Sequence, residues 1–210
     1  MGKVYAWGNN EFGALGTGEM FDIVIEPRLV EFPEELENVK IVKIFAAGDS
    51  SAAISSNGQV FVWGSNNMGQ LGCESSHLDY PKSLLSTPTQ PSKFLDKHVK
   101  HIAMGENTIM YQLESGEIYV AGMKYWATPF LFELKPGFQA IDMVCGTDYY
   151  AVIGKNHKVI NYNGPFTGSF PESSDLPANT SSPPDDFFPS NPLKLYGQYG
   201  YCVGILEDTS

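Results

Sequence analysis

The side chains that could carry chemistry are histidines and neighbouring carboxylates, and their spacing favours neither metal binding nor catalysis. His98 and His101 are three residues apart, so on a strand their rings would point to opposite faces. Neither has a cysteine or carboxylate at metal-ligand spacing. Acid–base catalysis needs two carboxylates held against one substrate, which adjacent residues such as Glu34–Glu35 and Asp185–Asp186 seldom achieve. We therefore interpret the histidines as surface residues and the carboxylate pairs as solvated charge.

The sequence also lacks the local signatures of common active sites. It contains no Gly-x-Ser-x-Gly, phosphate-binding loop, His-Glu-x-x-His or dinucleotide fingerprint. Cys73, Cys145 and Cys202 are odd in number and form no Cys-x-x-Cys pair, which indicates reduced thiols of the cytoplasm or nucleus. Cys145 and Cys202 fall in strand-like motifs, where we expect small buried apolar side chains. These patterns predict a protein that is not an enzyme and has no catalytic residue, cofactor or metal.

Charge and hydropathy narrow the range of partners. The 210 residues carry 13 Lys+Arg against 24 Asp+Glu, a net charge of −11, and Arg28 is the single arginine. A nucleic-acid reader clusters Lys and Arg on one face, so direct nucleic-acid binding is not expected. The amino terminus shows no secretory pattern, and no apolar run approaches the roughly 20 residues that span a bilayer. We expect an intracellular protein without membrane insertion, whose acidity favours basic protein surfaces.

Two motifs recur along the chain. The first is Val4–Gly8, which returns as Val60–Gly64, Ile118–Gly122 and Ile160–Gly164, with intervals of 56, 58 and 42 residues between the closing glycines. The second is a short apolar segment with a glycine, which follows each copy of the first at Gly48, Gly105, Gly146 and Gly197. Two motifs that recur in step indicate a repeat architecture.

The pattern within the motifs predicts an all-β fold. Apolar residues alternate with small or polar ones, as in strands, and turns such as Ser56–Gly58 lead from the second motif into the next copy of the first. The one stretch with helix-like periodicity is 34–44. Strand pairs of this kind cannot bury both faces alone, so we expect them to stack as blades around an axis. Trp7 and Trp63 would then fill the wedges between neighbouring blades.

A third pattern follows the first two copies of the Trp-Gly pair. Trp7–Gly16 and Trp63–Gly72 share the sequence Trp-Gly-x-Asn-x-x-Gly-x-Leu-Gly. We expect Gly13 and Gly69 to have positive φ in a sharp turn, with the leucine returning to the core. This pattern resembles the repeat of the regulator of chromosome condensation (RCC1) family, a β-propeller. The glycines and tryptophans of the three patterns form its structural signature: Trp7, Gly8, Gly13, Gly16, Gly48, Trp63, Gly64, Gly69, Gly72, Gly105, Gly122, Gly146 and Gly197.

The resemblance implies a binding platform of the kind found in cytoskeletal, ciliary, nuclear and ubiquitin-pathway proteins. Such propellers usually close with seven blades, whereas residues 1–210 form one domain of about four repeats, at 3–59, 60–117, 118–158 and 159–210. Three arrangements account for the difference: a four-repeat ring or open arc, an incomplete sequence, or a partial propeller completed by another chain. An open arc would expose strand edges, which recruit partners.

Residues 165–192 hold seven of the 14 prolines, with acidic and serine residues between them, which predicts an inserted loop. One interpretation is an insertion without any recognition role. The other is a peptide-like anchor made of Asp185, Asp186, Phe187 and Phe188, with two rings for a groove on a partner protein and two carboxylates that steer it.

A second insertion, Cys73–Lys97, leads to an alternative function. RCC1-like exchange factors push an inserted wedge from a blade into the nucleotide site of a small Ran-type GTPase, and this insertion is comparable in length and position. Our first hypothesis is a non-catalytic scaffold that binds other proteins as a structural subunit of a cytoskeletal, ciliary or nuclear assembly. A chain that completes the propeller is one candidate partner. The alternative is a guanine-nucleotide exchange factor for such a GTPase.

Overall fold

A computed structural model describes residues 2–19, 22–33, 40–73, 83–123, 126–134, 137–147, 149–154, 159–163, 192–198 and 201–206. The predicted all-β class is confirmed, since these residues form strands and one 3-10 turn, Ser92–Phe94. The strands are β1 (Val4–Asn9), β2 (Ile23–Val30), β3 (Ile41–Ala47), β4 (Ser50–Ser55), β5 (Val60–Ser65), β6 (Leu84–Thr89), β7 (Val99–Met104), β8 (Thr108–Leu113), β9 (Ile118–Gly122), β10 (Trp126–Phe132), β11 (Ala140–Cys145), β12 (Tyr149–Gly154), β13 (Val159–Asn163), β14 (Pro192–Gln198) and β15 (Tyr201–Leu206).

The strands form five antiparallel sheets in chain order. Two have four strands: blade 1 is β3-β4-β5-β6, and blade 2 is β7-β8-β9-β10. Blade 3 is β11-β12-β13, and the chain has two further sheets of two strands, which we call the first pair, β1–β2, and the terminal pair, β14–β15. Each full blade therefore combines the second motif of one repeat with the first motif of the next.

The sheets stack through apolar faces, as propeller blades do. The first strands of successive sheets, β3, β7, β11 and β14, contact one another in order, which places them nearest the common axis. Between blades 1 and 2 lies a core that includes Val62, Phe94, Ile102 and Tyr111. A second core fills the space between blades 2 and 3, and a third lies between the first pair and blade 1.

The helix-like periodicity of residues 34–44 does not correspond to a helix where the structure describes it. Residues 34–39 lie outside the described residues, and Ile41–Ile44 belong to β3. This strand pairs with β4 from Ile41 opposite Ser55 to Ala47 opposite Ser50. This pairing, with a register shift between Ile41 and Lys43, overrides a weak local preference.

The repeat alignment also shifts by one residue at two places. Ser50 lies opposite Gly64 in blade 1, and Thr108 lies opposite Gly122 in blade 2. Ser50 and Thr108 are 58 residues apart, and so are Gly64 and Gly122, whereas Gly48 and Gly105 are 57 residues apart. The turn before β8 is therefore one residue longer than the turn before β4. Gly48 has a φ of 53° at its turn, whereas Gly105 packs closely against the Gly146 carbonyl of blade 3.

In the fourth copy of the first motif, the structural counterpart of Gly122 is Asn163 rather than Gly164. Asn163 lies opposite Tyr149, the residue that corresponds to Thr108 in the preceding hairpin. The sequence alignment, which matched Gly164 with Gly122, is therefore one residue too far toward the carboxyl terminus. It was anchored on the closing glycine, whereas strand pairing matches Asn163 with Gly122.

Candidate protein interface

The turn after each Trp-Gly strand is organised by a buried asparagine. Leu15 donates its backbone N–H to Asn10 Oδ1 at 3.0 Å, and Leu71 donates to Asn66 Oδ1 at 2.9 Å. Both asparagines are buried. Gly13 and Gly69 have φ values of 74° and 72°, as the sharp turn requires. Neither asparagine was predicted to have this role, although their 56-residue spacing was the available signal.

Each of these turns docks on the following blade. The Ala14 carbonyl accepts hydrogen bonds from Trp63 Nε1 at 2.8 Å and from Ser51 Oγ at 2.9 Å. The Leu71 carbonyl likewise accepts from the Tyr111 hydroxyl of blade 2 at 2.8 Å. The turn of one repeat therefore satisfies polar groups of the next, so a blade is complete only when a preceding repeat lies against it.

The two tryptophans of the repeat have opposite environments. Trp63 is 3% exposed, bonded to Ala14 and in edge contact with Phe32 at 5.9 Å. Trp7 is 60% exposed. The predicted packing role is confirmed for Trp63 and wrong for Trp7, because no preceding repeat lies against β1 within the part of the chain that the structure describes.

The edge of β1 differs from the edges of its counterparts in the same way. β5 and β9 are flanked on both sides, whereas β1 pairs with β2 alone among the described strands. Gly64 and Gly122, with φ of 100° and 115°, pack against the backbone of the neighbouring strand, where an added Cβ would meet the carbonyls of Asp49 and Asn107. Gly8 has a φ of 111° and nothing within 4 Å of that position.

The strand nearest the axis in blade 1 is also uncovered. Ile44 of β3 is 65% exposed, whereas its counterpart 58 residues later, Ile102 of β7, is 1% exposed. Ile44 lies opposite Ala53, so both share the face of blade 1 that points toward the first pair. Blade 1 covers Ile102, whereas among the described strands the first pair has no axial partner that could cover Ile44.

Together these residues form one apolar end of the molecule. Of the ten large apolar side chains that are exposed among the described residues, seven lie on β1, β2 and β3. We call this surface the open end; it consists of the free edge of β1 and of Tyr5, Trp7, Ile23, Ile25, Leu29, Val42 and Ile44. Exposed apolar side chains concentrated on neighbouring strands are typical of protein interfaces.

Other residues singled out in the sequence take less prominent positions. Asp185, Asp186, Phe187 and Phe188 lie outside the described residues. His98 is exposed, with Nδ1 2.6 Å from the Asn57 carbonyl. His101, expected at the surface, is half-buried, with its ring edge-on to Phe45. No group of three metal-ligating side chains occurs within the described ranges.

The buried thiols have little nucleophilic character. Burial raises the pKa of Cys73 to about 12 and that of Cys145 to about 12. Cys145 is buried in the core between blades 2 and 3, as predicted, and both cysteines are free thiols. The side chain of Cys202 is outside the described part of the structure.

The described part of the insertion Cys73–Lys97 includes a strand of blade 1. Residues 84–89 form β6, the outermost strand of blade 1, and the 3-10 turn that follows carries Phe94 into the core between blades 1 and 2. Residues 74–82 lie outside the described residues. No helix in the described ranges has the length and apolar character needed to cross a membrane.

Stacked antiparallel sheets with shared turns define a repeat protein of the β-propeller class. The family profile described as "Regulator of chromosome condensation (RCC1) repeat" matches residues 1–54 and 57–112, and a second profile with the same description matches 41–70. The chain belongs to the RCC1 repeat family.

Curated relatives are much longer than this chain. It is 32% identical over 121 residues to "Probable E3 ubiquitin-protein ligase HERC3" of Homo sapiens, an alignment that covers 58% of this chain and 11% of that protein. It is 24% identical over 161 residues to human "RCC1 domain-containing protein 1", which covers 77% and 39%. The chain thus spans well under half the length of these relatives.

Solved structures support the fold. Human WBSCR16 superposes with a TM-score of 0.71 at 17% identity, covering 100% of this chain and 54% of that one. Prp20p of Saccharomyces cerevisiae gives a TM-score of 0.69 at 17% identity, covering 99% and 53%. The described sheets therefore form an arc of an RCC1-type propeller that corresponds to about half of such a chain.

Proposed function

We propose that this chain is a non-catalytic protein-interaction module, a structural subunit of a larger assembly, and that the open end is its main docking surface. The observation that carries the proposal is the environment of Trp7: a residue whose counterpart, Trp63, is buried and hydrogen-bonded stands exposed beside a free strand edge. Exposed strand edges next to apolar surface are a common means of recruiting another polypeptide.

The net charge of −11 supports basic protein surfaces as partners and disfavours direct contact with chromatin. Free, buried Cys73 and Cys145 support an intracellular setting, cytoplasmic, cytoskeletal or ciliary, or nuclear. We propose Asp185, Asp186, Phe187 and Phe188 as a second, peptide-like contact for the same assembly.

Relatives support a protein partner in general terms. Yeast Prp20p has binding properties to Gsp1p and to histones, and yeast RCC1 (Prp20) has been solved with Kap60 bound to it. HERC3 is named as a ligase, but this chain aligns with 11% of it. Exchange activity on a GTPase is the alternative, although residues 84–89 of the insertion compared with a wedge form β6, the outermost strand of blade 1.

Affinity purification of the tagged chain from its source cell, with cross-linking mass spectrometry, tests the proposal. We expect a stable set of proteins with cross-links near the open end, which Trp7→Glu removes. The matched control is Leu131→Glu, because Leu131 is an exposed apolar residue on β10, away from the open end. A Phe187→Ala/Phe188→Ala variant tests the second contact.

Two results would overturn the proposal. If the partners survive Trp7→Glu as well as Leu131→Glu, the open end is not the docking surface. If the retained protein is a small GTPase that appears only after magnesium chelation strips its nucleotide, and the purified chain accelerates nucleotide release, the chain is an exchange factor.

A further inference from the structure

The identity of the group that covers the open end follows from the repeat itself, and this step rests on the proposed function. We propose that the open end binds a second copy of this chain, whose terminal pair completes the first pair as a four-stranded blade in the order β14-β15-β1-β2. In this arrangement β15 of one copy pairs with β1 of the other.

The two strand pairs are complementary halves of one blade. The terminal pair corresponds to β3–β4 and β7–β8, the axial halves of blades 1 and 2, and the first pair corresponds to β5–β6 and β9–β10, the outer halves. Among the described strands, β15 pairs with β14 alone and β1 with β2 alone. Each half therefore has the free edge that the other needs.

The register of the contact can be read from blade 1. There Ala47 lies opposite Ser50 across the hairpin, and Ser50 lies opposite Gly64 of the outer half. In the terminal pair Gln198 lies opposite Tyr201 with the same three-residue separation. Tyr201 consequently takes the position of Ser50, and it falls opposite Gly8.

Continuing antiparallel from Tyr201 opposite Gly8, Val203 of one copy falls opposite Ala6 of the other. The open space at Gly8 fits this register, because the counterpart glycines Gly64 and Gly122 are packed against the turn of their own axial hairpins. Gly8 already has the positive φ of those glycines. The edge of β1 therefore already has the backbone conformation that its counterparts adopt when they pair with an axial hairpin.

The same arrangement covers the apolar faces. In blade 2, Ile102 is buried by the axial strands of the preceding blade, including Ala52 and Ile54. The terminal pair of a second copy would lie in that position relative to Val42 and Ile44. Blade 3 of that copy, which contacts β14, would approach the face formed by Tyr5 and Trp7.

The exposed apolar residues of the open end are numerous enough to suit a polypeptide partner. The seven apolar residues of the open end are between 43% and 86% exposed, so a partner that covers them would bury apolar surface from three neighbouring strands.

Mixing two cysteine variants of the full chain tests the register between copies. Ala6→Cys and Val203→Cys, each with Cys202→Ser, are purified separately, mixed and oxidised. We expect a mixed disulfide dimer, because residues directly opposite on neighbouring strands are within reach of a disulfide. The control is Leu131→Cys mixed with Val203→Cys, which should give at least tenfold less dimer.

Sedimentation of the unmodified chain provides the second measurement. We expect concentration-dependent dimers whose dissociation constant rises at least tenfold with Trp7→Glu and is unchanged with Leu131→Glu. A chain that stays monomeric up to about 100 μM and forms no specific mixed disulfide overturns the second-copy proposal. If other proteins are then still captured through the open end, the proposed function stands and a different polypeptide is its occupant.

Discussion

The interface between blades 1 and 2 and the open end are built from the same repeat, and one is closed while the other is not. β1 reads Val-Tyr-Ala-Trp-Gly-Asn and β5 reads Val-Phe-Val-Trp-Gly-Ser. Every position of β5 is buried, whereas β1 alternates between half-buried and exposed residues. Nearly identical sequences thus have different environments, and the difference lies in which neighbouring repeat is present.

This comparison separates two roles of the repeat residues. Glycines and the Asn10 and Asn66 side chains set the path of the chain within a repeat, and their geometry is the same in both regions. Tryptophan and isoleucine side chains act between repeats, so their burial depends on a neighbour. Stability in such proteins is close to a sum of terms within repeats and terms between nearest neighbours.

The largest expected difference between the two regions concerns the tryptophans. Trp63→Ala should lower the free energy of unfolding by about 3–5 kcal/mol, because a buried ring and its bond to Ala14 are lost. Trp7→Ala should cost less than about 1 kcal/mol in the monomer, since its ring is already exposed. Urea unfolding followed by circular dichroism at sub-micromolar concentration measures both. Equal losses would mean that β1 is covered in the monomer.

The glycine pair provides a second contrast. Alanine at Gly64 must adopt a φ near 100° and also displace the Asp49 carbonyl, so we expect a loss of about 3 kcal/mol. Gly8→Ala introduces the same backbone strain but no steric contact, so we expect the free energy of unfolding to fall by about 1 kcal/mol. Urea unfolding of the two variants measures both losses of stability. A loss for Gly8→Ala as large as that for Gly64→Ala would contradict the expected contrast.

Roles within a repeat should be less sensitive to position along the arc. Asn66→Ala removes the acceptor for the Leu71 N–H and the donor to the Cys73 carbonyl, both buried, for an expected loss of about 2 kcal/mol. Asn10→Ala should cost a similar amount, because Asn10 has matching bonds. Thermal unfolding of both variants checks this, and losses that differ by more than about 1 kcal/mol would show that the turn depends on its neighbour.

The turn glycine of the second repeat provides a related measurement. Gly69 has a φ of 72°, so Gly69→Val should destabilise the fold by more than about 1 kcal/mol through backbone strain. The control is Val62→Ala, which changes a buried side chain without affecting backbone conformation. A neutral Gly69→Val would remove the basis for aligning the turns of the first two repeats.

The sequence predicted the features that are encoded locally. Alternation and turn glycines identified the strands, and the spacing of Trp7–Gly16 and Trp63–Gly72 identified the family. The register shift at Gly105 escaped detection because one extra turn residue leaves the local pattern almost unchanged. The exposure of Trp7 could not be predicted, because burial depends on the contacts of a neighbouring repeat rather than on the residue and its own strand.

The candidate site was predicted only in outline. Exposed edges of an open arc were expected to recruit partners, but the particular residues, Tyr5, Leu29 and Ile44 among them, follow from strand pairing and not from composition. They are apolar residues in strand patterns, and such a pattern alone indicates core. The predicted anchor at Asp185–Phe188 remains a prediction, since it lies outside the described residues.

The smallest expected difference between the closed interfaces and the open end concerns the reactivity of thiols toward a labelling reagent. Burial raises the pKa of Cys73 and Cys145 to about 12, from an ordinary value of 9.0. At pH 8.5 both should resist iodoacetamide in the folded chain and react after urea unfolding, whereas Tyr5→Cys at the open end should react quickly.

Protein concentration and pH sharpen the same measurement. Labelling of Tyr5→Cys should slow as the concentration approaches that of dimer formation, while labelling of Cys73 should not change. Because the folded-state pKa of each buried thiol is raised, its contribution to stability is complete below pH 9 and is lost as pH rises toward about 12. Fast labelling of Cys73 at pH 8.5 would mean that blades 1 and 2 separate in solution, and the contrast between a closed interface and an open end would fail.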